Sequence, residues 1–192
     1  CRAGRVGFSR GLGSVIMKRI VSVIFLLFVA APAVSAGMLQ EDGIETHLYT
    51  LKYPDGWRLE SKALPVAVQG PDSEIMLITP ALPAPDSEAT DKMKDTDAMY
   101  EFWRERIRRV IEQSISEENM TIVEPYQESA IGSLPLLSGC SHTTSDKSFL
   151  CVYGLIGKGG AVFLITVEGL LKHEKNARDE TVNMLKSIEW KI

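Results

Sequence analysis

The chain has 192 residues, of which 45% are hydrophobic and 24% are charged, a balance typical of a folded domain rather than a disordered segment. This length predicts a single domain. Lysine and arginine together number 21 and acidic residues number 25, so the formal net charge is −4. An acidic surface repels phosphate backbones, which disfavours nucleic-acid binding, and it has little attraction for anionic lipid.

A hydrophobic segment near the N-terminus carries the pattern of an export signal. Lys18 and Arg19 precede an uncharged run, Ile20–Ala36, that ends in small residues. We therefore predict a signal peptide over 17–36 with cleavage after Ala36. A membrane anchor is the alternative, since a run of about 17 residues is at the short end of a transmembrane span. We expect cleavage, a periplasmic or secreted location, and no stable membrane anchor afterwards.

Residues 1–16 precede Met17 and are rich in glycine and arginine. We interpret them as upstream sequence included by a mis-assigned start, and a genuine N-terminal extension is the alternative. Cleavage would remove five basic residues and no acidic ones, so the mature chain would have a net charge of −9. We expect a flexible leader over 37–46 and one domain over 47–192.

The predicted domain opens with short β-strands. Apolar and polar residues alternate from Tyr49 to Tyr53 and again from Trp57 to Leu59, and Pro54–Gly56 between them is typical of a tight turn. This pattern predicts a β-hairpin. Further short strands are predicted at Val66–Val68 and Glu74–Thr79.

A helix follows a proline-containing loop. The loop is predicted over Pro80–Asp91, because proline lacks a backbone donor and resists both helix and central strand. A cap among Asp95, Thr96 and Asp97 begins a helix that ends at about Glu117. Its apolar residues recur at the helical period and predict a stripe that faces the core. The stripe contains Met99, Trp103, Ile107, Val110 and Ile111.

Four strands and a second helix complete the chain. The strands are predicted at Thr121–Ile131, Leu134–Thr143, Ser148–Ile156 and Ala161–Val167, and the helix at about Leu171–Ser187. Tight connections between the later strands predict antiparallel hairpins. Both faces of the last two strands are apolar, whereas a sheet with one wet face alternates apolar with polar. The predicted fold class is therefore α+β, a mostly antiparallel sheet covered by helices on both faces, which is an α/β/α sandwich.

Two cysteines remain after the predicted cleavage, and an exported protein with such a pair favours a disulfide. Centring the hairpin on Thr144–Lys147 places Cys140 directly opposite Cys151. Directly opposed residues have Cα atoms about 4.5–5.5 Å apart, within the range of a disulfide. We predict a disulfide between them, with two reduced buried cysteines as the alternative.

Three sequence segments carry a family resemblance. They are Tyr-x-Leu-x-Tyr-Pro-x-Gly-Trp from Tyr49 to Trp57, Leu137-Ser138-Gly139 before the middle hairpin, and a terminal helix that ends in Leu185-Lys186-Ser187-Ile188. Over about His47 to Ile192 the chain resembles the PsbP-like α/β/α sandwich superfamily, which includes small bacterial periplasmic proteins. The resemblance implies a scaffold that usually binds other proteins and is not usually an enzyme. None of the family's functional residues carries over, because only fold-forming positions match and a fold does not fix a function.

Four arginines on the first predicted helix form a basic patch on an acidic chain: Arg104, Arg106, Arg108 and Arg109. They are candidates for docking an anion or an acidic partner protein. The alternative is a solvated helix face, because Glu101 and Glu105 lie three or four residues before several of these arginines.

An aromatic set marks a second candidate site, a pocket between the sheet and the loop Pro80–Asp91 that would take a small molecule or a lipid. Core packing explains the same residues. The set contains Tyr49, Tyr53, Trp57, Phe102 and Trp103.

No metal site, cofactor or catalytic constellation is predicted. None of the three histidines lies in a metal-ligand spacing with another histidine or with cysteine. Asp91, Asp95 and Asp97 lack the glycine and distal glutamate of an EF-hand, and helix capping explains Asp95 or Asp97 without an ion. Gly157–Gly160 leads into a strand, which indicates a turn rather than a phosphate-binding loop.

These observations predict an exported, non-catalytic accessory domain that binds another protein. A small-molecule or lipid carrier in the periplasm is the alternative. An enzyme of unrecognised type is the third hypothesis.

Overall fold

A computed structural model of the chain describes residues 40–46, 48–81, 96–158 and 161–191. Residues 1–16, the predicted signal peptide at 17–36, and most of the predicted loop Pro80–Asp91 therefore lie outside the described residues. So do His47, Asp91 and Asp95. In the described part no helix is both long and apolar enough to cross a membrane.

The described residues form ten β-strands and two α-helices. The strands are β1 (Gly43–Glu45), β2 (Tyr49–Lys52), β3 (Arg58–Ser61), β4 (Val66–Gln69), β5 (Ile75–Ala81), β6 (Met120–Ile131), β7 (Leu134–Thr143), β8 (Ser148–Ile156), β9 (Val162–Leu170) and β10 (Glu189–Trp190). The helices are α1 (Thr96–Ile115) and α2 (Glu174–Lys186), and a 3₁₀ turn (Leu171–His173) leads into α2. The predicted α+β class is confirmed.

The strands form two antiparallel sheets. The larger sheet has seven strands in the order β3-β4-β5-β9-β8-β7-β6, and the smaller has three in the order β1-β2-β10. The four later strands lie close to their predicted bounds and are joined as successive antiparallel neighbours. This long meander is local in sequence, which is why alternation and turn chemistry predict it well.

Apolar side chains cover both faces of the seven-stranded sheet. Successive residues of a strand point to opposite faces. In β9, Phe163 and Ile165 belong to a cluster with residues of α2 and the three-stranded sheet. Val162 and Leu164 alternate with these two residues along the strand, and they belong to a second cluster with residues of α1. The two helices thus contribute to different apolar clusters.

The predicted hairpin at the start of the domain is wrong. Strand β2 pairs with β1 and β10, whereas β3 pairs with β4 in the other sheet. The turn itself forms as expected: the Trp57 N–H donates to the carbonyl of Pro54 at 3.1 Å, and Gly56 has a φ of 83°. Turn chemistry fixes the reversal of the chain but not the partner of the strand that follows.

The predicted leader over 37–46 is wrong in its last part, because Gly43–Glu45 forms strand β1. Each of its residues pairs with one of β2, and the Ile44 side chain is only 1% exposed. The domain therefore begins before His47.

Helix α1 crosses the sheet above two glycines. A Cβ atom built on Gly139 would meet Ile111 and Ile115, and one built on Gly154 would clash with Ile107. Side chains of any other residue type at these two positions would hold the helix away from strands β7 and β8. The close approach buries Ile107 and Ile111 completely.

The register predicted for the cysteines is the register observed. Cys140 pairs with Cys151 across β7 and β8, their Cα atoms lie 4.2 Å apart, and their sulfur atoms lie at disulfide distance. Both residues are fully buried among the apolar side chains on the α2 side of the sheet.

Replacing Cys140 and Cys151 together by serine is expected to lower the free energy of unfolding by about 2 kcal/mol, since the bond closes a short loop. Urea unfolding of the oxidised protein and the double variant measures the difference. In a reducing buffer the wild type should approach the variant, whereas an unchanged wild-type midpoint would contradict a structural disulfide.

Candidate functional site: a cleft beside helix α2

An open cleft of about 630 Å³ runs along α2, between that helix and strands β6 to β8. We call it the α2 cleft. Leu136, Ser138 and Tyr153 line its sheet side, and Leu171 and Val182 line its helix side. Ser138 and Tyr153 are directly opposed residues of β7 and β8, on the same face as the cysteine pair. The cleft is thus built on the rigid central strands, with the 3₁₀ turn and α2 as its second wall.

Tyr153 places a buried hydroxyl in this cleft. The residue is 4% exposed, and its hydroxyl oxygen lies beside the Arg178 guanidinium, which can donate to it. No acceptor for its O–H is found in the described residues. Burial raises the pKa of Tyr153, and the nearby charge of Arg178 opposes that rise. The hydroxyl therefore stays protonated at neutral pH. A buried O–H without an acceptor is costly and marks a place where water or a ligand completes the hydrogen bonding.

Arg178 is held beside this hydroxyl by two carboxylates. One guanidinium nitrogen donates to Glu124 at 2.6 Å and another donates to Glu174 at 3.2 Å. Glu174 also contacts Nε2 of His142 at 2.8 Å. Burial is the largest influence and acts to lower the pKa of Arg178, but the interactions with Glu124 and Tyr153 together outweigh it, so the pKa is raised. The guanidinium is thus fixed between β6 and α2, and the two carboxylates balance its charge.

The rim of the cleft is basic. Four cationic and two anionic side chains line it: Lys172, Lys175, Arg178, Lys186, Glu174 and Asp179. Lys175 is paired with Asp179 at 2.5 Å. Within the described chain neither Lys172 nor Lys186 takes part in an ion pair. Two exposed lysines on the edge of a partly apolar cleft create a local attraction for anions on a chain whose net charge is negative.

The arginine patch is largely neutralised. Three of its four members are paired with carboxylates: Arg104 with Glu128 at 2.7 Å, Arg108 with Glu112 at 3.0 Å, and Arg109 with Glu105 at 2.8 Å. The guanidinium of Arg106 lies over the Phe102 ring, 4.4 Å from its centre. These contacts are those of a solvated helix face, the alternative that the sequence left open, and they leave little free charge for docking.

The predicted aromatic pocket is not assembled. Tyr49, Tyr53 and Trp57 belong to the apolar cluster on the α2 side of the sheet. Trp103 lies in the other cluster, and Phe102 packs against that cluster. Trp57 has a structural contact, since its Nε1–H donates to Glu180 of α2 at 2.7 Å. The five residues face opposite sides of the sheet and cannot line one cavity.

Sequence reasoning did not find the α2 cleft, although one signal was present. In the sequence of α2, Arg178 stands at helical spacing before Val182 and Leu185, so a charge interrupts the apolar face of the helix. Such an interruption indicates a buried or half-buried ion pair or a ligand site. One partner of Arg178, Glu174, lies at helical spacing and could be read from the sequence, but Glu124 lies 54 residues away in the chain.

Comparison with known proteins gives structural likeness but no match in sequence. No family model matches the chain, and no curated protein matches it. Among solved structures the chain is similar to LpqN of Mycobacterium tuberculosis, which is described as involved in cell envelope biogenesis. The two are 12% identical with a TM-score of 0.45, over 74% of this chain and 82% of that chain. A likeness this distant supports no inference about function, and the PsbP-like resemblance stays a prediction.

Proposed function

We propose that this chain is an exported, non-catalytic binding protein whose α2 cleft holds a small amphipathic anion. Export is supported by the pattern of Lys18, Arg19 and the apolar run Ile20–Ala36. The single observation that carries the binding role is the buried Tyr153 hydroxyl, whose O–H has no acceptor in the described residues, beside the fixed guanidinium of Arg178. Together they form a donor pair for a carboxylate or phosphate group.

The layering that supports this cleft is an α/β/α sandwich of the PsbP-like kind. Helix α1 contributes to one apolar cluster of the seven-stranded sheet and α2 contributes to the other. A sheet with helices packed on both faces is rigid, and a groove between such a sheet and one of its helices is a frequent place for a ligand. The carrier role, which was the alternative from the sequence, is thereby favoured over docking at the arginine patch.

The shape and chemistry of the cleft select the ligand class. Its volume of about 630 Å³ lies within the range of small-molecule sites. Ile131, Leu136, Leu171 and Val182 offer apolar contact, while the charged and hydroxyl groups lie together. A ligand with one anionic head and a short apolar chain satisfies both parts. Lys172 and Lys186 then attract the head from solution.

The test measures binding of a single-chain fatty acid and of the alcohol with the same chain length. The wild type should prefer the carboxylate, because the alcohol offers no charge to Lys172 and Lys186. Tyr153→Phe should weaken carboxylate binding about tenfold, since a hydrogen bond to a charged group is lost. Lys172→Gln and Lys186→Gln should each weaken it about threefold, as exposed charges contribute little individually.

Two matched controls test whether the effect belongs to the cleft. Tyr49→Phe also deletes a buried hydroxyl without a hydrogen-bond partner in the described residues, but Tyr49 does not line the cleft. Lys158→Gln deletes an exposed lysine that does not line the cleft. Both variants should bind like the wild type. Equal affinity for the acid and the alcohol, or equal loss in Tyr49→Phe and Tyr153→Phe, would rule the proposal out.

A protein partner at the open edge of β6 is the second candidate function. Strand β6 ends the seven-stranded sheet, and Ile122 and Val123 on it are 47% and 42% exposed. An edge strand can accept an added strand from a partner. Co-purification with a native partner that is lost in Val123→Lys but kept in Tyr153→Phe would favour this role over the carrier role.

A further inference from the structure

A second cluster of polar side chains lies away from the α2 cleft. Asp72 and Glu74 belong to the turn between β4 and β5, and His173 ends the 3₁₀ turn that precedes α2. Their ligand atoms all lie within 4.8 Å of one another. His173 lies about one hundred positions from Asp72 and Glu74 in the chain, so no sequence spacing indicates the cluster.

The distances within the cluster fit shared ligands of one ion. Nδ1 of His173 lies 3.1 Å from Oδ2 of Asp72 and 4.0 Å from Oε1 of Glu74. Oxygen and nitrogen ligands bind zinc at about 2.0–2.2 Å, so neighbouring ligands of one ion stand about 3.0–3.5 Å apart. The first distance is already in this range, and the second needs a shift of about half an ångström to reach it.

Charge and burial both favour a cation at this place. The Glu74 side chain is 5% exposed, and a buried carboxylate is costly without compensating charge. Its Oε2 accepts the backbone N–H of Asp72 at 3.0 Å, while Oε1 lies beyond hydrogen-bond distance of the His173 nitrogen. Two carboxylates face a single imidazole, which carries one positive charge at most. A divalent ion would neutralise this cluster.

Two glycines make room for the Glu74 carboxylate. A Cβ atom on Gly70 would lie 2.6 Å from Oε2 of Glu74, and one on Gly169 would lie 2.9 Å from its Cγ. Backbone from the β4–β5 turn and from the end of β9 therefore closes around the side chain. The carboxylate is held in place before any ion arrives, which lowers the cost of ordering a ligand.

We propose that Asp72, Glu74 and His173 bind a divalent transition-metal ion of the zinc type. One imidazole nitrogen with two carboxylate oxygens is a ligand set that zinc accepts, and the imidazole disfavours calcium and magnesium. Asp72 is 54% exposed on the solvent side, so the remaining coordination positions are open to water. The ion joins the β4–β5 turn to the turn that begins α2.

This site has a consequence for the wall of the α2 cleft but does not depend on the proposed ligand. Leu171 and Lys172, which line the cleft, immediately precede His173. An ion at His173 restrains this 3₁₀ turn. It stabilises the folded chain as well, because a ligand that binds only the native state shifts the unfolding equilibrium.

The test is a calorimetric titration of the untagged protein with zinc chloride, and with calcium and magnesium chloride for comparison. We expect one zinc ion per chain, no comparable binding of calcium or magnesium, and a higher melting temperature with zinc. Asp72→Asn and His173→Gln should each weaken zinc binding by about tenfold or more, which is the loss seen even for outer-shell partners. Because Asp72 is exposed, we expect Asp72→Asn to fold like the wild type.

His142→Gln is the matched control, since His142 also contacts a carboxylate, that of Glu174, at 2.8 Å. It should keep the zinc affinity of the wild type. Absence of zinc binding to the wild type would overturn the proposal. So would wild-type affinity in Asp72→Asn and His173→Gln, which would leave the His173–Asp72 contact as a structural hydrogen bond only. Fatty-acid binding that persists in these variants leaves the proposed function standing, so the two proposals fail separately.

Discussion

Replacing Glu168 by glutamine is expected to raise the free energy of unfolding at pH 8 by about 3 kcal/mol. Glu168 lies on β9 opposite Ile75 and Leu150, and its Oε2 atom is buried without a hydrogen-bond partner in the described residues. Burial, with a smaller contribution from the negative charge of Asp146, raises its pKa from 4.5 to about 7. The folded protein therefore holds a proton that the unfolded chain releases.

The direction of the pH dependence follows from this raised pKa. Below pH 4.5 both states are protonated at Glu168, and its contribution to stability is fully present. Between pH 4.5 and about 7 the unfolded chain loses the proton while the folded protein keeps it, so stability falls as the pH rises. Above pH 7 the loss is complete. Glutamine resembles the protonated carboxyl and avoids the loss.

Urea unfolding of the wild type and of Glu168→Gln from pH 4.5 to pH 8 measures this effect as the difference between two curves. The difference should be small at the acidic end and should grow to its full size near pH 8. Glu118→Gln is the control, since Glu118 is an exposed glutamate, and its curve should follow that of the wild type. A constant difference across the whole range would contradict a buried, proton-holding Glu168.

Replacing Gly154 by alanine is expected to lower the free energy of unfolding by about 3 kcal/mol, although only one methyl group is added. The new Cβ would clash with Ile107 of α1, whose side chain is fully buried. Either the helix moves away from β8 or Ile107 leaves its favoured rotamer, and both responses disturb the packed cluster. No hydrogen bond or charge is changed.

A double-mutant cycle with Ile107→Ala separates this clash from other effects of the glycine. Ile107→Ala alone should cost about 3 kcal/mol through the cavity it leaves. In that background Gly154→Ala should cost little, because the new methyl group enters vacant space. Urea midpoints of the four proteins give the coupling energy, expected to be about 2 kcal/mol and favourable. Additive losses would show that the close approach of Ile107 is not the cause.

Prediction from the sequence succeeded where the structure depends on neighbours along the chain. The meander from β6 to β9 and the opposition of Cys140 and Cys151 follow from alternation and from the position of one turn. The prediction failed where partners are distant: β2 was assigned to β3, but it pairs with β1 and β10. The alternation of apolar and polar residues indicates which residues face the core, but it does not indicate which strand pairs with them.

The same limit applies to the candidate sites. The arginines of α1 were visible because charges cluster in sequence, and the glutamates that pair with several of them were equally visible at helical spacing. The α2 cleft joins Tyr153 of β8 with Arg178 of α2, and the metal cluster joins Glu74 with His173. Such pairs are created by the crossing of strands and turns, and only the tertiary structure brings them together.

The pairing of strand β10 with β2 in the three-stranded sheet bears on the order in which the domain folds. Its residue Trp190 pairs with Tyr49, near the other end of the described chain, and its ring packs edge-on against Phe163. We expect a contact across almost the whole domain to form late, because the long intervening loop has to close first. A shortened chain without Glu189 and Trp190 would leave the rings of Tyr49 and Phe163 without the Trp190 ring that packs on them. Pairing of this two-residue strand is therefore expected to be a final step of folding.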